Sequence, residues 1–345
     1  ETASRYVDEA TKNQPENLEA QLLLVKTLIA RDLYYKAETT LDELTRKFPK
    51  SAAVFELTGI LHLKKKDPTS ARRAFERALE LEPQSYEALN GLVMLDLAEK
   101  KPQAAVARVG ERLRKAPNNP QLLVLAARTQ ATAGDLPAAE RTLRKMLEVA
   151  PDHLEAFSLL GQLYLKQGEL DQARREFEAL ALKEPKNAGA HTMAGLILQL
   201  QKQEPEARQR YEQALKVNPR AAVAANNLAW MMAESGQDLS VALQHARRAQ
   251  EVLPQHPTIS DTVGWIYYRQ DNTPLAIREF SRSIGQDPRN PIYHYHLGLA
   301  YLKAGEKERA RESFQQALQL NPNFAEAVDA KSRLAMLEQD TPPQK

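Results

Sequence analysis

FSLLGQLYLKQGELDQARREF, residues 157–177, carries the reading on which the fold turns. At about 100° per residue, Phe157, Leu160, Gly161 and Tyr164 fall on one face of a helix. Gly168-Glu169 then interrupts the pattern, and a glycine there can take the positive φ that ends a helix. Ala173 and Phe177 follow one turn apart, and Pro185 closes the segment. The stretch therefore reads as a helix, a tight turn and a second helix folded back on the first.

It is one of many. Pro49, Pro83, Pro117, Pro151, Pro185 and Pro219 recur every 34 residues, and Pro254, Pro288 and Pro322 continue the series after a single 35-residue step. Pro15 precedes them at the same interval. A fixed period of this length marks a helical repeat array, and residues 157–185 follow W-x2-L-G-x2-Y, A-x3-F, P with Phe in the place of Trp. On these residues the chain resembles the tetratricopeptide repeat family from end to end. The resemblance implies an all-α, right-handed solenoid of helix-turn-helix repeats, and in such proteins generally the concave face holds partner peptides.

A position not used to find the period tests the register. With each repeat counted so that its proline is residue 32, one slot holds Ala37, Ala71, Ala105, Ala139, Ala173, Ala207, Ala242, Ala276 and Ala310. A methyl group there lets the two helices approach closely, where a larger side chain overpacks by about 1 to 3 kcal/mol. Glycine or alanine is expected to serve the same contact at Gly59, Ala127, Gly161, Gly195, Ala229, Gly264 and Gly298. Repeats 1 and 3 carry Val25 and Val93 instead, which predicts slightly splayed hairpins.

Composition sets limits. With 43% apolar and 27% charged residues, the chain has an ordinary globular balance, and a repeat array needs no single large core because each repeat buries its face on the next. The net charge is +2, and basic runs such as Lys64 to Lys66 and Arg72-Arg73 are interleaved with acids. No clustered basic stripe of the kind that tracks phosphates is present, so nucleic acid is not an expected partner. No stretch approaches the roughly 18 apolar residues of a membrane span. The chain has no cysteine, which is compatible with an oxidising compartment but does not specify one.

Pro68, Pro102, Pro137, Pro205 and Pro274 follow the turns, as suits the first turn of a second helix, where a missing N–H costs nothing. Repeat 7 lengthens its turn over Glu234 to Ser240, which accounts for the 35-residue step and predicts a loop on the rim. Ala3, Val7 and Ala10 occupy second-helix slots ahead of Pro15, so the chain is expected to begin within a repeat, as a fragment of a longer protein would. At the other end Phe324 to Gln339 reads as a capping helix, with Glu326, Asp329, Lys331 and Arg333 on its polar side. The organisation expected is a truncated repeat over 1–17, nine repeats over 18–51, 52–85, 86–119, 120–153, 154–187, 188–221, 222–256, 257–290 and 291–322, a cap over 323–339 and a disordered tail over 340–345.

Catalytic and cofactor signatures are missing. The seven histidines form no i, i+4 pair, and His294 and His296 point to different sides of a helix, one inside the hairpin and one outside. No G-x-G-x-x-G, G-x-x-x-x-G-K-[ST] or G-x-S-x-G is present. No metal or cofactor is implied, and an enzyme reading has no residues to carry it.

The informative surface is a second stripe of each first helix, at positions 2, 5, 9, 12 and 13, roughly opposite the packing stripe. Repeat 7 places Asn226 and Trp230 there, repeat 8 places Asp261, Trp265, Tyr268 and Arg269, and repeat 9 places Tyr295 and Leu299. Large aromatics beside Arg, Asp and Asn have the composition of a binding hot spot. A structural role for Trp230 and Trp265, packing only against the neighbouring repeat, is the alternative. Earlier repeats offer a milder stripe through Leu22, Lys26, Glu56, Ile60, Asn90, Met94, Arg128 and Gln162. The Lys/Asn set with which some co-chaperones clamp a C-terminal carboxylate is not reproduced.

The segments 226–249, 261–270 and 295–318 look like the C-terminal repeats of exported bacterial proteins, among them lipoproteins associated with exosortase and exopolysaccharide secretion. That resemblance implies an envelope or periplasmic scaffold, with a cytoplasmic adaptor or co-chaperone as the alternative. The function expected is non-catalytic binding of a partner peptide or helix in the groove. A glycan-binding or enzyme-assisting module would use the same aromatics to stack on polysaccharide.

Overall fold

The computed structural model of the chain describes residues 16–339. The expected half repeat before Pro15 and the expected tail over 340–345 lie outside the described residues. The chain divides into two compact units, Glu1–Leu163 and Tyr164–Lys345. The described residues of both are helical, with no strand.

In the first unit, paired helices alternate with short turns: α1 (Leu18–Ala30) with α2 (Tyr34–Lys47), α3 (Ala52–Lys64) with α4 (Pro68–Leu81), α5 (Tyr86–Ala98) with α6 (Pro102–Lys115), and α7 (Pro120–Thr132) with α8 (Leu136–Val149). The unit boundary falls within α9 (Leu154–Gln167). The second unit contains α10 (Leu170–Lys183), α11 (Ala188–Leu200) with α12 (Glu204–Val217), α13 (Ala222–Glu234) with α14 (Leu239–Val252), α15 (Pro257–Arg269) with α16 (Thr273–Gln286), α17 (Pro291–Lys303) with α18 (Lys307–Leu320), and α19 (Ala327–Gln339). The last helix starts three residues later than Phe324, because Phe324 is buried in a turn that leads into it.

The period fixes the turns. Every hairpin turn has one left-handed residue at the same repeat position: Gly134, Gly168, Gly236 and Gly305 in four of them, and Asp32, Lys66, Lys100, Lys202 and Asp271 in the other five. The residue that follows donates its N–H back to the carbonyl five positions earlier, as Asp135 does to Gln130 (3.0 Å) and Lys101 to Asp96 (2.8 Å). This back-bonding closes the orphan carbonyls of the first helix, so the geometry persists even where the residue is not glycine. In the longer turn of repeat 7, the Asp238 carboxylate caps α14 by accepting from the Ser240 and Val241 N–H groups at 3.0 and 3.1 Å.

All nine slot alanines, Ala37 through Ala310, are 0% exposed. The glycines eight residues into the repeats meet an aromatic ring in addition to the facing helix, whose Ala207 backbone lies 3.2 Å from a Cβ on Gly195. A Cβ on Gly59, Gly195, Gly264 or Gly298 would lie 2.5 to 2.8 Å from the ring of Phe75, Tyr211, Phe280 or Phe314, one turn beyond the alanine. Gly91, from the next repeat, flanks Phe75 on its other side at 2.5 Å. The ring therefore needs both glycines. Where the glycine is replaced, the ring is too: Val25 shares a core cluster with Leu41, Val93 with Val109, and Ala229 with Ala246. Val25 and Val93, for which splayed hairpins are expected, thus face smaller partners, as close packing at constant volume requires.

Candidate interaction site

First helices of successive repeats touch within each unit, α1 to α3 to α5 to α7 in one and α11 to α13 to α15 to α17 in the other. The stripe positions of α13, α15 and α17 are therefore neighbours in space. The rings of Trp230 and Trp265 stack with centroids 5.8 Å apart and planes inclined by 26°. Tyr268 extends the stack from the other edge of Trp265 at 5.2 Å and 20°. All three side chains are partly exposed.

Beneath the stack lies His296, 4.7 Å from Trp265 and 6.0 Å from Trp230, with Phe280 and Tyr295 at 5.5 and 5.7 Å. Its Nδ1 is 2.9 and 3.1 Å from the two carboxylate oxygens of Asp261, and both residues are buried at 4% exposure. The pair ties α15 to α17. Of the two neighbouring histidines, His296 is the inside residue, while His294 is partly exposed and its Nε2 lies 3.0 Å from the Pro288 carbonyl.

The eight stripe residues separate into two groups. Asn226, Asp261, Tyr295 and Leu299 are buried, whereas Trp230, Trp265, Tyr268 and Arg269 are partly exposed. Tyr295 and Leu299 belong to a core cluster with Phe314 and Phe324 and are not open surface. The Tyr295 hydroxyl donates to Asp329 of α19 at 2.6 Å. Burial, and then this hydrogen bond to a carboxylate, raise the Tyr295 phenol well above its ordinary value. For Asp329, burial pulls the other way but is outweighed by hydrogen bonds from Arg333 and Tyr295, so its carboxyl is held below the usual range.

The two tryptophans, equivalent by repeat position, are not equivalent in contacts. The Trp265 indole N–H donates to Glu234 Oε1 at 2.6 Å, and Arg269 sits 3.8 Å from the same oxygen while donating to the Glu234 carbonyl at 3.5 Å. Trp265 and Arg269 thus fasten α15 to the end of α13. Trp230 instead lines a pocket of about 310 Å³, walled also by Asn226, Asp261, Tyr293, His296 and Glu326. Two oxygens in that wall, Asn226 Oδ1 and Glu326 Oε2, are buried with no hydrogen-bond partner.

His296 stands at position 6 of repeat 9, off the stripe, and Glu326 lies beyond the nine repeats, where the sequence places it only on the polar side of the cap. The one available sign is that His296 follows Asp261 by 35 residues, one repeat plus one position. Among the described residues no group of three His, Cys, Asp or Glu side chains could hold a metal ion, and no helix is long and apolar enough to cross a membrane.

Two models of the tetratricopeptide repeat match the chain, one over residues 1–60, 62–129, 96–162 and 130–197, the other over 201–257 and 264–325. A general transcriptional corepressor, ssn6 of Schizosaccharomyces pombe, is 26% identical over 113 residues, which are 32% of this chain and 10% of the corepressor. Among solved structures, the APC/C hetero-tetramer Cut9-Hcn1 is similar over 92% of this chain and 64% of that one, with a TM-score of 0.58 and 14% identity. Pseudomonas aeruginosa pilF is similar over 62% of this chain and 96% of its own, with a TM-score of 0.53 and 17% identity. The chain thus spans a tenth of the curated relative and under two thirds of the matched chain in the Cut9-Hcn1 structure, and at these identities the structural likeness speaks for the fold.

Proposed function

Because the chain belongs to the tetratricopeptide repeat family, we propose that it is a protein-interaction scaffold, and that the first-helix face of repeats 7 to 9 holds a segment of its partner. The observation that carries this reading is the partly exposed stack of Trp230, Trp265 and Tyr268 beside a pocket of about 310 Å³. Rigid aromatics bury large area for few frozen rotors, and their neighbours here are already ordered by Glu234 and His296. Interaction roles also fit the names of the corepressor and the APC/C subunit. The exopolysaccharide setting has no support among these relatives.

The test uses a photocrosslinking phenylalanine in place of Val223, on the stripe and 46% exposed, against the same residue in place of Leu182, 82% exposed on a second helix of the same unit. Adducts of one partner are expected from position 223 and not from 182. With that partner purified, Trp230→Ala should weaken binding at least tenfold, about 1.4 kcal/mol. Equal labelling from both positions, or unchanged affinity, sinks the reading.

A further inference from the structure

The pocket beside Trp230 is unusual in what its wall leaves unanswered. Its two acids are unequal: Asp261 gives both carboxylate oxygens to His296, whereas Glu326 Oε2 is buried without a partner. Among the described residues Glu326 is the acid with a buried carboxylate oxygen left in that state. Asn226, in the same lining, is 5% exposed and its Oδ1 is likewise unpartnered. A buried acceptor without a donor is costly, and native proteins retain few of them. Two in one wall point to a ligand that brings the donors.

The charge of that ligand follows from the lining. No lysine or arginine lines the pocket and the His296 ring is engaged by Asp261, so an anion would meet carboxylates with no free counter-charge. The N-terminus of α17 also borders it, through Asn290 and Ile292, and its partial positive charge opposes a cation. That terminus is already occupied, since Asn290 Oδ1 accepts from the Ile292 N–H at 3.0 Å. A half charge with its donor used is a weak barrier beside a lining that holds Asp261 and Glu326 and no lysine or arginine. The lining also includes Trp230, the type of aromatic that best attracts a cation.

From this we infer that the pocket receives an arginine side chain of the bound partner: the guanidinium donates to the Glu326 carboxylate and to Asn226 Oδ1 and lies against Trp230. Arginine fits better than lysine because its planar fork presents several donors at fixed angles, is weakly hydrated and stacks on aromatic rings. The inference rests on the proposed groove reading and adds its specificity: the aromatic stack supplies area, and the pocket selects a cation at one position of the partner segment.

The probe is a seven-residue glycine-serine peptide with one central arginine, compared with the same peptide carrying citrulline, which keeps the shape and removes the charge. Both are titrated into the isotope-labelled full chain, following the indole N–H signal of Trp230 by NMR. The arginine peptide is expected to shift that signal in a saturable way, and the citrulline peptide to bind at least tenfold more weakly. Glu326→Gln, which preserves size, should weaken the arginine peptide at least fivefold with an unchanged melting temperature, and Asn226→Ala should weaken it less. Equal binding of the two peptides, an unmoved Trp230 signal, or full affinity in folded Glu326→Gln overturns the inference. If crosslinking from position 223 still succeeds in that event, the groove binds by another chemistry; if both fail, the groove reading falls with it.

Discussion

The first-helix stripe of the first unit and that of repeats 7 to 9 occupy the same repeat positions and have opposite characters. Along the first unit's stripe, Glu56 and Arg128 find protein partners. Glu56 accepts from the Ser85 hydroxyl at 2.5 Å, and Arg128 pairs with Glu155. Beneath the stripe, buried Asp96 accepts from both Arg72 and Arg108 at 2.9 Å. Met94 stands 55% exposed. In repeats 7 to 9 the same positions build a continuous ring stack over a buried Asp–His pair, and the adjoining wall keeps two acceptors unanswered. Equivalent positions in a repeat are thus alike in backbone but not in role. Satisfied polar groups hold hairpins together, whereas unsatisfied ones beside exposed aromatics mark where something else is meant to arrive.

The comparison would break first at the seams, where the two units should behave alike. Phe75→Ala and Phe280→Ala each empty a site packed against glycine and should cost about 3 to 5 kcal/mol by chemical denaturation. A difference of several kcal/mol between them would show that the seams are not equivalent.

The stripes should then separate. Asp96→Ala strands two arginines that are still partly solvated, and a loss of about 2 kcal/mol in stability is expected with partner affinity untouched. Trp230→Ala should do the reverse, weakening binding at least tenfold, about 1.4 kcal/mol, while the melting curve barely moves. Should Asp96→Ala abolish binding in a folded protein, the assignment of the first stripe to structure is wrong.

High pH sharpens the second unit further. Burial pushes the Tyr211 phenol up to about 12, against the opposing hydrogen bond from Asn227. Because the folded value lies above the ordinary value of 10, the neutral ring stabilises the fold fully below pH 10, and that contribution is lost as pH rises through about 12. The loss, on the order of 1 to 2 kcal/mol, should be followed by tyrosinate absorbance and be absent in Tyr211→Phe.

The smallest effects lie in the turns. Gly134 takes φ 88° with open space around it, so Gly134→Ala should destabilise by about 1 kcal/mol through backbone strain alone. Lys100 already bears that strain at φ 59°, and Lys100→Gly should shift stability by less and in the favourable direction. Thermal melts of the two variants would expose any error in this ordering.

The alanine slot shows how much of the fold was legible. A methyl at one fixed offset across nine repeats states the closest approach of two helices without any coordinates, and the proline and glycine offsets state where each helix stops. The left-handed turns at Asp32, Lys66, Lys100, Lys202 and Asp271 were less legible, because the back-bonded cap imposes a conformation their side chains do not announce. The ring that meets each glycine was less legible for a related reason: it reaches along the helix axis from one turn away, and spacing alone does not show how far a side chain extends.

The site divides along the same line. The sequence by itself placed Trp230 and Trp265 as neighbours, because a fixed period maps equal repeat positions onto adjacent helices. Only the tertiary structure decided that Glu234 claims Trp265 and Arg269, that Tyr295 and Leu299 turn inward against α19, and that His296 lies under the stack. It also brought Asn226 and Glu326, a hundred residues apart in the chain, to one wall. Periodicity fixes which backbones meet, since it is a property of helix geometry. Which side chains pair, and which acceptor is left without a donor, depends on rotamers and on partners from distant repeats, and no local pattern encodes that.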